Sequence, residues 1–242
     1  MSNLNDLERE YLELEKENFQ DGKRIKFIAN LGASDEIAYH YELICKQWQE
    51  GRQLNFESSF DRHGSAGLEF LFEHLAKKSD QKLKIETIYL IAQILSKSKH
   101  RNFYTAFCDR LIPHILSFTN AENALRRKLI IALGWVGTLS EVETLTNEML
   151  GSKDSLCRAW TAASLMQMSF HRVAQESLRD KTKSAFLQSI SNEKDLHVCA
   201  VMIEAAQILF GKKWISSSAA QNQNVEKIEK ARKSAIRFLS KS

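Results

Sequence analysis

The chain has little that would interrupt a helix or hold a metal. Among its 242 residues there is one proline, Pro113, and there are nine glycines, a scarcity that favours long helices joined by short turns over sheet or disorder. Every apolar run is shorter than the ~18 residues needed to cross a bilayer. The opening Met1-Ser2-Asn3-Leu4-Asn5-Asp6 is polar and acidic, unlike a secretory leader. A cytoplasmic protein with no membrane partner is the expectation. The four cysteines, Cys45, Cys108, Cys157 and Cys199, are scattered with no Cys-x-x-Cys pair. They read as small buried hydrophobes in a reducing compartment rather than as a zinc or redox site. The seven histidines (His40, His63, His74, His100, His114, His171, His197) form no His-Glu-x-x-His pair, and no Gly-x-Ser-x-Gly elbow or Gly-rich phosphate loop occurs. Asp61-Arg62-His63-Gly64-Ser65 gathers reactive residue types in a segment read as a loop, which is not the setting of an active site. No catalytic residue, metal or cofactor is expected.

What is present is charge asymmetry and a repeat. Residues 1–60 carry 12 acidic against 7 basic residues, a balance of −5, whereas the remainder carries 18 against 27, a balance of +9. An acidic beginning on a basic body points to an anionic or mixed-charge partner. The repeat is an acid, two spacers, an apolar anchor and usually a base. It reads Asp80-Gln81-Lys82-Leu83-Lys84, Glu122-Asn123-Ala124-Leu125-Arg126, Asp154-Ser155-Leu156-Cys157-Arg158 and Asp195-Leu196-His197-Val198-Cys199. Counting each anchor as zero, positions +4, +5, +7 and +8 are small or apolar: Thr87, Ile88, Leu90, Ile91; Leu129, Ile130, Ala132, Leu133; Thr161, Ala162, Ser164, Leu165; Met202, Ile203, Ala205, Ala206. The anchors stand 42, 32 and 41 residues apart, a spacing of stacked helix pairs.

Residues 4–30 read as one helix and Ser34 to Gln49 as a second, on the 3.6-residue recurrence of Ile37, Tyr41, Ile44 and Trp48. Neither carries the repeat, so residues 1–60 are expected to be an acidic N-terminal cap with a polar outer face. A polar connection, Gly51 to Gly67, follows. Outer helices are expected near 66–78, 102–118, 140–150 and 174–191, and inner helices near 81–97, 122–136, 154–169 and 194–210. Ser140-Glu141-Val142-Glu143 is the expected capping box of the third outer helix. Pro113 should kink the second outer pattern or start a fresh helix. A basic helix, residues 224–240, would close the stack as a C-terminal cap. The whole, residues 1–242, reads as a single domain with four helix pairs over residues 64–210.

The boxes resemble HEAT repeats, above all the short bacterial form with its Asp-x-x-Val-Arg start and Ala-Leu-Gly end. Leu125-Arg126 through Ala132-Leu133-Gly134-Trp135-Val136-Gly137 carries the likeness best. It covers roughly residues 64–210 and departs at Cys199, where the usual arginine is missing. The resemblance implies an all-α fold, a right-handed α-solenoid of HEAT-like helix pairs with N- and C-terminal capping helices. It also implies a binding role, while leaving the ligand open.

The bases at +1 invite a phosphate-binding reading. At about 100° per residue, however, +1 points within about 20° of +8, the buried leucine position. Lys84, Arg126 and Arg158 are therefore expected to serve structure, reaching the acids Asp80, Glu122, Asp154 and Asp195 of adjacent turns as a ladder between repeats. Positions +3, +6 and +10 lie on the opposite side. They hold Glu86, Tyr89, Gln93; Lys128, Ile131, Trp135; Trp160, Ala163, Gln167; and Val201, Glu204, Ile208. In a solenoid this stripe lines the concave surface, where aromatic residues are favoured anchors. The partner-binding candidates are Glu86, Tyr89, Gln93, Lys128, Ile131, Trp135, Trp160, Gln167 and Glu204. Two roles stay open for Trp135 and Trp160, partner contact or packing between repeats.

The leading expectation is a non-enzymatic protein-binding module. In size and repeat type the chain is similar to bacterial immunity proteins that occlude a cognate toxin, and a regulatory scaffold or adaptor would share its features. Nucleic-acid binding is the alternative, since some bacterial DNA glycosylases use HEAT-like repeats with tryptophans on a basic face. Glu86 and Glu204 on the predicted stripe weigh against a phosphate-tracking groove. A lyase or cofactor chaperone has only the repeat type behind it.

Overall fold

A computed structural model describes residues 3–77, 79–118 and 121–241, and among these every regular element is helical. The chain divides into two compact units, Met1–Ile94 and Leu95–Ser242, and the division falls in the last turn of one helix.

Unit 1 holds α1 (Leu4–Lys16), α2 (Asp21–Ala33), α3 (Ile37–Glu50), a 3-10 segment (Phe56–His63), α4 (Gly64–Lys77) and most of α5 (Gln81–Lys97). The single helix expected over residues 4–30 is two. The chain turns at Asn18 and Phe19, both in the left-handed region (φ 53° and 54°), and the Phe19 N–H closes the turn on the Leu14 carbonyl at 2.8 Å. A left-handed phenylalanine costs about 1–2 kcal/mol. Burial of its ring against Tyr11 and Phe56, at 5.8 and 6.3 Å between centroids, offsets this.

The connection read as polar is ordered. Its 3-10 segment packs on α2, α3 and α4 and buries Phe56, Ser59 and Phe60. Helix α5 is buried nearly all round. The Thr87 hydroxyl donates to the Leu83 carbonyl at 2.7 Å, so the Tyr41 hydroxyl, 2.6 Å away, is the donor that ties α3 to α5.

Unit 2 holds α6 (Tyr104–Leu116), α7 (Asn123–Val136), a short 3-10 turn (Leu139–Glu141), α8 (Val142–Gly151), α9 (Ser155–His171), α10 (Gln175–Asn192), α11 (Leu196–Leu209), α12 (Ser217–Gln221) and α13 (Val225–Leu239). Helices α7, α9 and α11 pack side by side in one row, and α8, α10 and α13 in a second. The two rows share a core of small and branched side chains. At the α7–α9 crossing Gly134 meets Ser164 so closely that a Cβ would sit 2.8 Å from the Ser164 Cα. Pro113 lies exposed in the last turn of α6, which ends three residues later at Leu116. The capping box forms two residues earlier than expected, on the 3-10 turn rather than on α8. Thr138 accepts from the Ser140 N–H at 3.3 Å, and Glu141 accepts from the Thr138 N–H at 2.7 Å.

Candidate functional site

The acids and bases of the repeat divide their work differently from the expected ladder. Asp80, Asp154 and Asp195 are helix caps: their carboxylates accept from the backbone N–H of Leu83 (2.7 Å), Cys157 (2.7 Å) and Val198 (3.2 Å). Such caps contribute about 1 kcal/mol each. Glu122 precedes α7 without a side-chain cap.

The arginines turn to other acids. Arg126 grips Glu148 of α8 with two nitrogens, Nε at 2.8 Å. Arg158 grips Glu193, at the end of α10, with Nε at 2.7 Å and Nη2 at 2.8 Å. The hydrogen bond from Arg126 holds the Glu148 carboxyl below its ordinary range. Burial raises that of Glu193, but Arg158 and the N–H groups of Asp195 and Lys194 reverse the shift and leave it lowered. Lys84 lies half-buried on α5.

The fourth box, which has Cys199 in place of arginine, borrows a guanidinium from elsewhere in the chain. Arg232 of α13 sets its Nε 3.1 Å from the Cys199 Sγ, and its Nη2 donates to the Glu193 carbonyl. All four cysteines are buried thiols outside any disulfide. Burial pushes the thiols of Cys108 and Cys157 up to about 12 and that of Cys199 upward, so these three sulfurs stay protonated at neutral pH. Among the described residues no group of three His, Cys, Asp or Glu could hold a metal ion.

With the acids and bases engaged in caps and ion pairs, the candidate surface is the outer side of the α7–α9–α11 row. Helix α9 sits in the middle, and at about 100° per residue Leu156, Trp160, Ala163, Gln167 and Phe170 fall within an arc of about 80°. Trp160 is 45 % exposed and Phe170 50 %. On one flank α7 presents Lys128, Ile131 and Trp135, all half-buried; on the other α11 presents Val201 and Glu204, half-buried, and Ile208, 44 % exposed. The Trp135 carbonyl accepts from the Tyr104 hydroxyl at 3.3 Å. The two tryptophans differ in degree: Trp160 is the more exposed, and Trp135 is half-buried.

No protein-family model, curated protein or solved structure matches this chain. Its site is defined by its own geometry.

In unit 1 the candidates fall elsewhere. Glu86, expected on the open stripe, is only 7 % exposed, because α5 is covered on the side that α7, α9 and α11 leave open. Tyr89 and Gln93 are half-buried, and burial, with the Glu86 charge, raises the Tyr89 pKa.

Sequence reading missed Phe170 because α9 runs one turn further than the repeat pattern, through His171. It also missed the pairing of His40 with His63. His40 is fully buried; its Nε2 lies 2.8 Å from the Phe56 carbonyl and its Nδ1 2.9 Å from His63 Nε2. A carbonyl only accepts, so His40 is protonated at Nε2 and His63 donates to it. Burial lowers the His40 pKa to about 4 and that of His63 below its ordinary value. The pair pins the 3-10 segment to α3.

Proposed function

We propose that the chain is a non-enzymatic protein-binding module whose helix pairs stack as a right-handed α-solenoid of the HEAT type, closed by the acidic N-terminal helices and by α13. The observation that carries this reading is the exposed pair Trp160 and Phe170 on α9, flanked by Ile131 and Ile208. A solvated helix face carries few large apolar residues. A row of aromatic and branched side chains between a lysine and a glutamate resembles the apolar centre and polar rim of a protein interface. Partner binding falls to Lys128, Ile131, Trp160, Phe170, Glu204 and Ile208, with the half-buried Trp135 on the α7 flank. The partner class most in keeping with the repeat type is a toxin whose active surface is occluded by the module.

The test is co-purification of the chain with the product of the neighbouring gene, with and without nuclease. A stoichiometric, nuclease-resistant protein complex is expected. A Trp160→Ala, Phe170→Ala double variant should weaken it by about 2 kcal/mol or more without moving the melting temperature. Retention of nucleic acid alone would overturn the reading in favour of the one competing observation, the excess of basic residues in unit 2.

A further inference from the structure

Away from the α7–α9–α11 row, residues 212–241 form a second, unlike surface. From Lys212 to Lys241 there are eight basic residues and two acidic ones. Helix α13 buries Ile228, Ala231, Ala235 and Leu239 on unit 2, and Arg232 fastens it to Cys199 and Glu193. Its opposite side therefore faces solvent, with Lys227, Lys230, Ser234 and Arg237 within an arc of about 80°.

Beside this stripe the Lys212–Ile215 loop is held in place. The Trp214 and Ile215 N–H groups both donate to Gln207 Oε1, at 3.0 and 3.1 Å, and the Lys212 N–H donates to the Gln207 carbonyl at 2.8 Å. The Trp214 ring leans on Phe238, with 5.7 Å between centroids. Loop and helix enclose a cleft of about 350 Å³ whose walls include Lys213, Lys227, Lys230 and Trp214, with Ile215 and Ala219 among its apolar lining.

No acidic residue lines this cleft, and among the described residues none of its three lysines makes an ion pair. Of the two acids on α13, Glu229 is paired with Arg232 at 3.0 Å, and Glu226, one turn before Lys230, lies outside the cleft lining and makes no ion pair with its lysines. Elsewhere in unit 2 Arg126, Arg158, Arg172 and Arg232 each meet a carboxylate. Gathering like charges in a cleft costs free energy that an anion recovers. The volume lies in the range of small-ligand sites. Lysine ammonium groups suit a compact, doubly charged phosphate, and an indole at the rim offers a planar group a stacking surface.

We infer that the cleft between the Lys212–Ile215 loop and α13 is a nucleotide site, in which Lys213, Lys227 and Lys230 hold a phosphate monoester and Trp214 stacks on the base. It is independent of the α9 face, so a Trp160→Ala variant keeps it intact.

The test uses the full chain at low salt, titrated with adenosine monophosphate, adenosine and inorganic phosphate, read by calorimetry and tryptophan emission. Adenosine monophosphate should bind and quench emission, phosphate should bind more weakly, and adenosine should do neither at the same concentrations. Lys227→Gln with Lys230→Gln should weaken nucleotide binding about tenfold or more with unchanged circular dichroism and melting. Trp214→Phe should abolish the quench. A 5′-phosphorylated trinucleotide binding as well as the mononucleotide assigns the site to a strand end; binding of the mononucleotide alone assigns it to a free nucleotide. Equal binding of adenosine and adenosine monophosphate, full binding by the lysine double variant, or equal binding of a 5′-hydroxyl trinucleotide would each overturn the inference.

Discussion

The two units of this chain solve the burial problem with different materials. Unit 1 carries 17 acidic against 12 basic residues, a balance of −5, and sets clusters of aromatic rings among the leucines and isoleucines of its core. Tyr11, Phe19, Phe27 and Phe56 meet edge to face or tilted, and beside them lies a cluster of Tyr41, Phe60, Phe70, His40, His63 and His74. Unit 2 carries 13 acidic against 22 basic residues, a balance of +9. It packs small side chains in two rows and ties them with arginine forks to Glu148 and Glu193. Large rings fill irregular space and tolerate a left-handed turn or a 3-10 segment among them. Small residues allow helices to approach closely and repeat, and the arginines then fix their register. Unit 1 is thus stapled by shape and unit 2 by charge.

Removing one staple from unit 2 should have the largest effect. In Arg158→Ala the Glu193 carboxylate, whose side chain is 4 % exposed, loses its partner. Breaking a buried pair costs about 3–5 kcal/mol. Urea denaturation measures the loss, and native-state hydrogen exchange should locate it in α9–α11 while the α1–α3 amides keep their protection. Equal loss in both units would erase the contrast.

Acid should reverse the order. His40 in the folded protein titrates near 4, below its ordinary 6.5, so between those values the unfolded chain binds more protons and stability falls as pH falls. The difference corresponds to roughly 3 kcal/mol, fully present above about pH 6.5 and lost by about pH 4. The carboxyls of Glu148 and Glu193 are lowered instead. Their contribution persists through that window and goes only as pH drops below the ordinary carboxylate range toward their folded values. Hydrogen exchange in stepped acid should show the 3-10 segment and α3 loosening before α8 and α10. A His40→Gln variant should flatten the upper part of the pH–stability curve.

Smaller effects test the packing on each side. Gly134→Ala gains about 1 kcal/mol of helix propensity but drives a methyl to 2.8 Å from the Ser164 backbone. A net loss of about 1–2 kcal/mol in thermal denaturation is expected. In unit 1, Asn18→Gly relieves an exposed residue at φ 53° and should stabilise by about 0.5 kcal/mol.

Much of the helical organisation was legible in the chain. The acid–apolar boxes located α5, α7, α9 and α11 within a residue or two, because an acid followed by a 3.6-residue apolar period is a local signal, whether the acid caps the helix, as Asp80, Asp154 and Asp195 do, or not, as at Glu122. The final helix, α13, was equally plain from its amphipathic spacing. Local signals also carried the outward side of α9 and hence Trp160. They failed where a distant partner decides the outcome. Glu86 occupies the same box position as Trp160 yet is buried, and nothing within the box distinguishes the two. The partners of Arg126 and Arg158 lie 22 and 35 residues away, on other helices, and the arginine that the fourth box lacks arrives from position 232, 33 residues on. The sequence by itself determined where helices begin, which side of each is apolar and that the two ends differ in charge, since these depend on neighbours within one or two turns. Only the tertiary structure decided the turn at Asn18–Phe19, the His40–His63 pair, the burial of Glu86 and the three lysines left unpaired beside Trp214. Each of these depends on which surfaces meet, and a side chain's partner across space is set by packing rather than by its place in a repeat.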